Sequence, residues 1–147
     1  MAPFPLRDPL GPGRGPRVLI VLDASALASW SLPGEEGPDL LHLAGRYAAF
    51  WAPGLLWSEI RNILVMSERR GRLTPGLSED ALQAVERLEI GFDTQPARGT
   101  VLRPARQHGL TVHDALSVEL AIRKGAVLAT FDRAMAMAAQ AEGVTVV

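Results

Sequence analysis

The stretch VLIVLDAS, residues 18–25, decides the reading of the fold. Residues 18–22 are valine, leucine and isoleucine with no polar interruption, as expected of a strand covered on both faces; a strand with one wet face would alternate. Asp23 ends the run. Ser25, or Asp23 itself, then supplies a side-chain oxygen of the kind that starts a helix, predicted here to continue through Ala26 to Trp30. An acid at the end of an apolar strand, beside the core, needs partners.

The same grammar repeats downstream. Pro33, Gly34 and Gly37 mark a loop, and residues 38–46 read as a second short helix, with Pro38 near its first turn and Gly45 near its end. AAFWAP, residues 48–53, reads as a second strand closed by Pro53. Residues 54–70 are helical in pattern, because Leu56, Ile60, Ile63 and Leu64 fall on one face and Gly71 follows. Thr74 and Pro75 begin a helix that runs through Ser78 to about Glu89, and IGFDTQ, residues 90–95, suits a short edge strand. Residues 97–107 and 114–124 are predicted helices ended by Gly109 and Gly125. AVLATFD, residues 126–132, is a buried strand, residues 133–141 are helix, and VTVV, residues 144–147, closes as a strand. Strands alternating with helices predict an α/β fold with a parallel sheet and helices on both faces.

The bulk properties set limits. The length of 147 residues suits one domain. There are no cysteines, which excludes disulfides, zinc-thiolate sites and cysteine nucleophiles and suits a reducing cytoplasm. Formal net charge is −1, so nucleic acid would have to be met locally and not by a broad basic surface. The basic residues are arginine except for Lys124, a bias that favours two-pronged phosphate contacts and also fits a GC-rich coding sequence. No apolar run approaches the ~20 residues needed to span a bilayer, so no membrane association is expected. Residues 1–16, rich in proline and glycine, read as a flexible N-terminal tail ahead of a domain over 17–147.

In open parallel sheets the site lies beyond the carboxyl ends of the strands. Asp23 and Asp132 end strands; Asp114 and Glu59 lie near the starts of helices. Each has a plainer reading: Asp114 and Asp132 suit helix N-caps, and Glu59 suits a solvated helix position. As a set, four converging carboxylates would repel one another and raise their own pKa values, and a divalent cation would relieve that. All-oxygen donors suit Mg²⁺ or Mn²⁺ over zinc. Such an ion activates water for in-line attack on a phosphodiester. His42, His108 and His113 share no register with a serine nucleophile; only His113, beside Asp114, lies near the acids.

With these residues in view, the chain resembles a PIN domain of the VapC type, the ribonuclease toxins of prokaryotic toxin–antitoxin systems. VLDASALASW resembles the first motif, PGLLWSEIRNIL the second, LTVHDALSVELAIRKG the third and VLATFDRAM the last. The resemblance covers residues 17–147. It implies a three-layer α/β/α fold and an Mg²⁺- or Mn²⁺-dependent endoribonuclease. Asp23, Glu59, Asp114 and Asp132 would be catalytic metal ligands, with Ser25, Asn62, His113 and Thr130 beside them. It further implies a homodimer, an RNA substrate, a cognate antitoxin laid over the active-site groove and a cytoplasmic location. Arg69, Arg70 and Arg72 are candidates to touch RNA or the antitoxin, though a solvated helix end stabilised by its dipole explains them equally. His113 departs from the aromatic residue common at that position. Trp30, Trp51 and Trp57 are read as core or interface residues.

Related layouts fit less well. A phosphoacceptor receiver would need an acidic pair before the first strand's Asp and a late Lys-Pro, and a haloacid-dehalogenase-type phosphatase would need an acid where Ser25 stands. An RNA-processing PIN nuclease outside any toxin pair and a non-catalytic RNA-binding PIN protein are the alternatives.

Overall fold

The computed structural model describes residues 18–32, 45–96 and 98–147. Its elements run β1 (Leu19–Leu22), α1 (Ala24–Ser31), β2 (Ala49–Pro53), α2 (Leu56–Arg69), α3 (Pro75–Glu86), β3 (Gly91–Asp93), α4 (Arg98–His108), α5 (Val112–Lys124), β4 (Val127–Ala129) and α6 (Arg133–Ala141). The strands form one parallel sheet in the order β3-β2-β1-β4. The expected tail and most of the helix predicted over 38–46 lie outside the described residues; Gly45 and Arg46 are helical.

β1 is central, and Ile20, Val21 and Leu22 are fully buried. The two-residue period of the strand divides them. Ile20 and Leu22 join the core formed with Leu27 of α1, Ile60 and Leu64 of α2 and Val85 of α3. Val21 joins the opposite core, with Val118 and Leu120 of α5 and Met135 and Ala139 of α6. This two-sided burial explains the unbroken apolar run and gives the three layers. α4 adds a smaller cluster, where Val101 and Ala105 pack on Ala115 of α5.

Glycine is favoured at two places. Gly125 ends α5 in the left-handed region, φ 59°, and donates to Ala121 and Ile122. At Gly91 a Cβ would lie 3.1 Å from the Trp51 ring, so any side chain there would press the indole aside by a few tenths of an ångström.

Three predictions are corrected. The strand expected over 126–132 stops at Ala129, and Asp132 is the N-cap of α6 instead of a strand end. VTVV makes no regular strand: it contributes one bridge, Leu128 to Val146, with Leu128 donating to Thr145 and Val147 donating to Leu128, each at 2.9 Å. Asp114 does not open its helix. Thr111 is the N-cap, and its hydroxyl accepts the Asp114 amide at 3.2 Å.

Candidate metal centre at the carboxyl edge of the sheet

All carboxyl ends of a parallel sheet face one edge, where the following helices begin. Asp23 directly follows β1, and Asp132 lies just past β4. Glu59 is in the first turn of α2 and Asp114 in the first turn of α5. The topology therefore brings all four acids to the same edge.

Asp23 occupies the N-cap position of α1 with an extended backbone, yet its carboxylate caps no amide there. Oδ2 instead accepts from the Ser25 hydroxyl and, at 2.9 Å, from the Thr130 hydroxyl. Both hydroxyls are themselves held. Ser25 Oγ accepts the Phe131 amide at 3.2 Å, and Thr130 Oγ1 accepts the Asp132 amide at 3.0 Å. The Asp23 amide donates to the Ala129 carbonyl at 3.0 Å. The end of β1 is thus stitched to the end of β4 around one carboxylate.

That carboxylate is only 7 % exposed. Burial pushes the Asp23 carboxyl above its usual range, outweighing the two hydroxyls and the amides of Ser25 and Ala24 that pull it down. Glu59 is half-buried and also raised, first by desolvation, then by the charge of Asp23. Exposed His113 opposes that rise and Asp114 adds to it. Glu59, Asp23, Asp114 and His113 therefore share one electrostatic neighbourhood. Asp132 is partly buried and joins through Thr130. Its Oδ1 caps α6 by accepting from Met135 at 2.8 Å, while its Oδ2 carries no hydrogen bond among the described residues.

Among the described residues, no three carboxylates or histidines converge into a ready-made cage for a metal ion. The donor chemistry nevertheless fits a hard divalent cation, because among the described residues these oxygens make no ion pair with lysine or arginine. The ion pairs among the described residues engage Asp93, Glu119 and Glu142 and none of the four acids. Glu119 is the instructive contrast. It is 3 % exposed, yet Arg123 Nε lies 2.7 Å from it and Thr100 donates to it at 3.1 Å. Where this fold buries an acid for packing alone, it supplies a guanidinium. Asp23 has only neutral hydroxyls and amides.

The remaining candidates scatter. Ser25 and Thr130 are at the centre of the network, and His113 is next to Glu59 in electrostatic terms. Asn62 is exposed one turn beyond Glu59 and bonds none of the four acids. Arg69, Arg70 and Arg72 are exposed at the far end of α2, about 15 Å along the helix axis from Glu59; the structure does not bring them to the site. His108 pairs with Glu142 at 2.9 Å, and His42 lies outside the described residues. Trp57 packs on Phe92 and Trp51 joins the core beneath α5, in line with their expected core role. Trp30 packs against the other core and also meets Phe131, ring centres 6.4 Å apart. Phe131 was missed from sequence. Its place between Thr130 and Asp132 was the available signal.

Comparisons with known proteins agree with this architecture. The model of the PIN domain family matches residues 20–141. The crystal structure of PAE2754 from Pyrobaculum aerophilum superposes with a TM-score of 0.68 at 25% identity, covering 88% of this chain and 83% of that one. FitAcB from Neisseria gonorrhoeae superposes with a TM-score of 0.59 at 16% identity, covering 86% of this chain and 95% of that one, a likeness of fold. No curated protein matches by sequence. The family match, spanning most of the chain and both ends of the carboxylate network, identifies it as a member of the PIN domain family.

Proposed function

We propose that this chain is an Mg²⁺- or Mn²⁺-dependent endoribonuclease and the toxin of a toxin–antitoxin pair. PIN domains are generally nucleases. The observation that carries the metal-dependent reading is Asp23: a buried carboxylate, raised by desolvation, within electrostatic reach of Glu59 and with no ion-pair partner among the described residues. Asp23, Glu59, Asp114 and Asp132 are the residues that would hold the cation. Bound there, it would acidify a water and offset the charge that builds on the scissile phosphate.

The chain's own contribution is positioning. Ser25 and Thr130 fix Asp23 by donating to Oδ2, and the Phe131 and Asp132 amides fix those two hydroxyls. Ser25 is locked by an amide from across the sheet edge and Thr130 by the amide two residues on, so the carboxylate is pre-aimed before any ligand arrives. The toxin assignment, the antitoxin partner, the homodimer and the cytoplasmic location rest on the motif resemblance. Among the described residues no helix is long and apolar enough to cross a membrane.

The test is incubation of mixed cellular RNA with the protein in Mg²⁺, Mn²⁺ or EDTA, beside Asp23→Asn. Discrete cuts that need metal and vanish in the variant are expected. Equal cutting by Asp23→Asn would overturn the site. Absence of both cutting and Mn²⁺ binding would leave a non-catalytic PIN protein.

A further inference from the structure

Thr130, Phe131, Asp132, Arg133, Met137 and Gln140 line a groove of about 430 Å³ between the end of β4 and the exposed face of α6. It shares Thr130 and Asp132 with the carboxylate network. Resting on the nuclease reading above, we propose that this groove seats a nucleoside of the RNA chain next to the phosphate that is cut, with Phe131 as its stacking platform.

Phe131 is 37% exposed yet not loose. Its amide donates to Ser25, and its ring stands edge-on to Trp30 at an interplanar angle of 79°. A fixed, accessible aromatic ring between two residues of a phosphodiester site offers a π face that any base can stack on. Met137, 62% exposed, adds a soft apolar wall on α6. Gln140, one turn further, brings an amide that both donates and accepts at a base edge. Arg133 is exposed and makes no ion pair among the described residues, so its guanidinium is available to a phosphate.

The lining selects the occupant. A wholly apolar peptide would leave Gln140 and Arg133 unsatisfied, and an acidic one would meet the Asp132 carboxylate. A nucleotide matches each part: a flat face for Phe131, an edge for Gln140 and a phosphate for Arg133. Continuity with the acids places it one step along the strand from the bond that breaks.

The experiment uses single-stranded RNA of randomised sequence with Mn²⁺, sequencing the cut ends and measuring kinetics for the full chain and for Phe131→Ala, Phe131→Tyr and Gln140→Ala. The wild type is expected to favour particular bases at one position beside the cut. Phe131→Ala should raise KM by roughly ten- to a hundredfold, the worth of one stacked base, with kcat little changed. Phe131→Tyr should restore binding, and Gln140→Ala should broaden the base preference. Unchanged KM and unchanged preference in Phe131→Ala would overturn the proposal. If the wild type cuts nothing, the nuclease reading fails by itself, and the groove is tested by titrating the four 5′-mononucleotides in EDTA and following tryptophan fluorescence. Saturable binding weakened in Phe131→Ala upholds the groove; no binding of any mononucleotide refutes it.

Discussion

Replacing Asp23 by asparagine should stabilise the metal-free protein while abolishing its metal response. The folded-state pKa of Asp23 lies above its unfolded value of 3.8, with burial the main cause. The folded chain therefore holds more protons than the unfolded chain between those two pKa values, and stability falls as pH rises through that window. Above the folded pKa the cost is fully present; below 3.8 both states are protonated and the cost is absent. Asparagine keeps the shape and a carbonyl oxygen that can accept from both hydroxyls, removes the buried charge, and forfeits the extra strength of charged over neutral hydrogen bonds, about 1 kcal/mol. Burying a carboxylate costs several kcal/mol, which the hydroxyls and amides around Asp23 offset in part. The net gain is then on the order of 1–2 kcal/mol, a rise in Tm of roughly 3–6 °C for a domain of this size. Thermal melts by circular dichroism in EDTA, from pH 3 to 7.5, should show the variant's advantage growing with pH and then levelling. Saturating Mn²⁺ should reverse the order, since a ligand at a hundred times its Kd adds about 2.7 kcal/mol to the wild type alone. A variant that melts lower in EDTA at neutral pH, by a margin that does not vary with pH, would refute the reasoning and make Asp23 a structural acceptor.

Three further outcomes follow from the same contacts. Arg123→Met strips Glu119 and Asp93 of their guanidinium and leaves Glu119 buried without a cationic partner, so urea unfolding should show a loss of about 3 kcal/mol; a loss below 1 kcal/mol would refute Arg123 as the group that makes Glu119 tolerable in the core. Glu142 is pulled down to about 2 by Arg103 and then His108, so its contribution is intact above its unfolded value of 4.5 and lost as pH falls toward 2. NMR titration of the side chain reads that midpoint, and Glu142→Gln should flatten the acid limb of the stability profile. Thr130→Val removes a donor to Asp23 and the acceptor of the Asp132 amide, which should cost about 1–3 kcal/mol and raise the Mn²⁺ needed for half-maximal cleavage.

What the residues announced beforehand depended on how local the signal was. The runs at 18–22 and 126–129 name buried strands because nothing polar interrupts them, and the burial of Ile20, Val21 and Leu22 on two opposite cores is the cause. VTVV is also rich in valine, yet pairing needs a neighbour in register, and among the described residues its one bridge is to Leu128. The gathering of the acids follows from parallel topology, so alternation of elements sufficed to place them on one edge. The cap of α5 was legible and passed over: Thr111 followed by Asp114 three residues later is the capping pattern itself. The end of β4 was misread as strand through Asp132, because the turn at Thr130 is imposed by a hydroxyl reaching across to Asp23, a contact 107 positions away.

Glu119 and Asp23 together carry the strongest argument for a site. Both are acids on apolar elements, and both are nearly inaccessible. Glu119 is the more anomalous in its setting, the apolar run SVELAI, with Arg123 one turn on. The fold resolves that anomaly completely, since Arg123 and Thr100 bind the Glu119 carboxylate. At Asp23 the same fold supplies donors that orient the carboxylate without neutralising it, and it sets Glu59 within electrostatic reach, with Asp114 in turn within reach of Glu59. A buried charge held in this way destabilises the empty protein, and a divalent cation bound by the folded state would offset that cost.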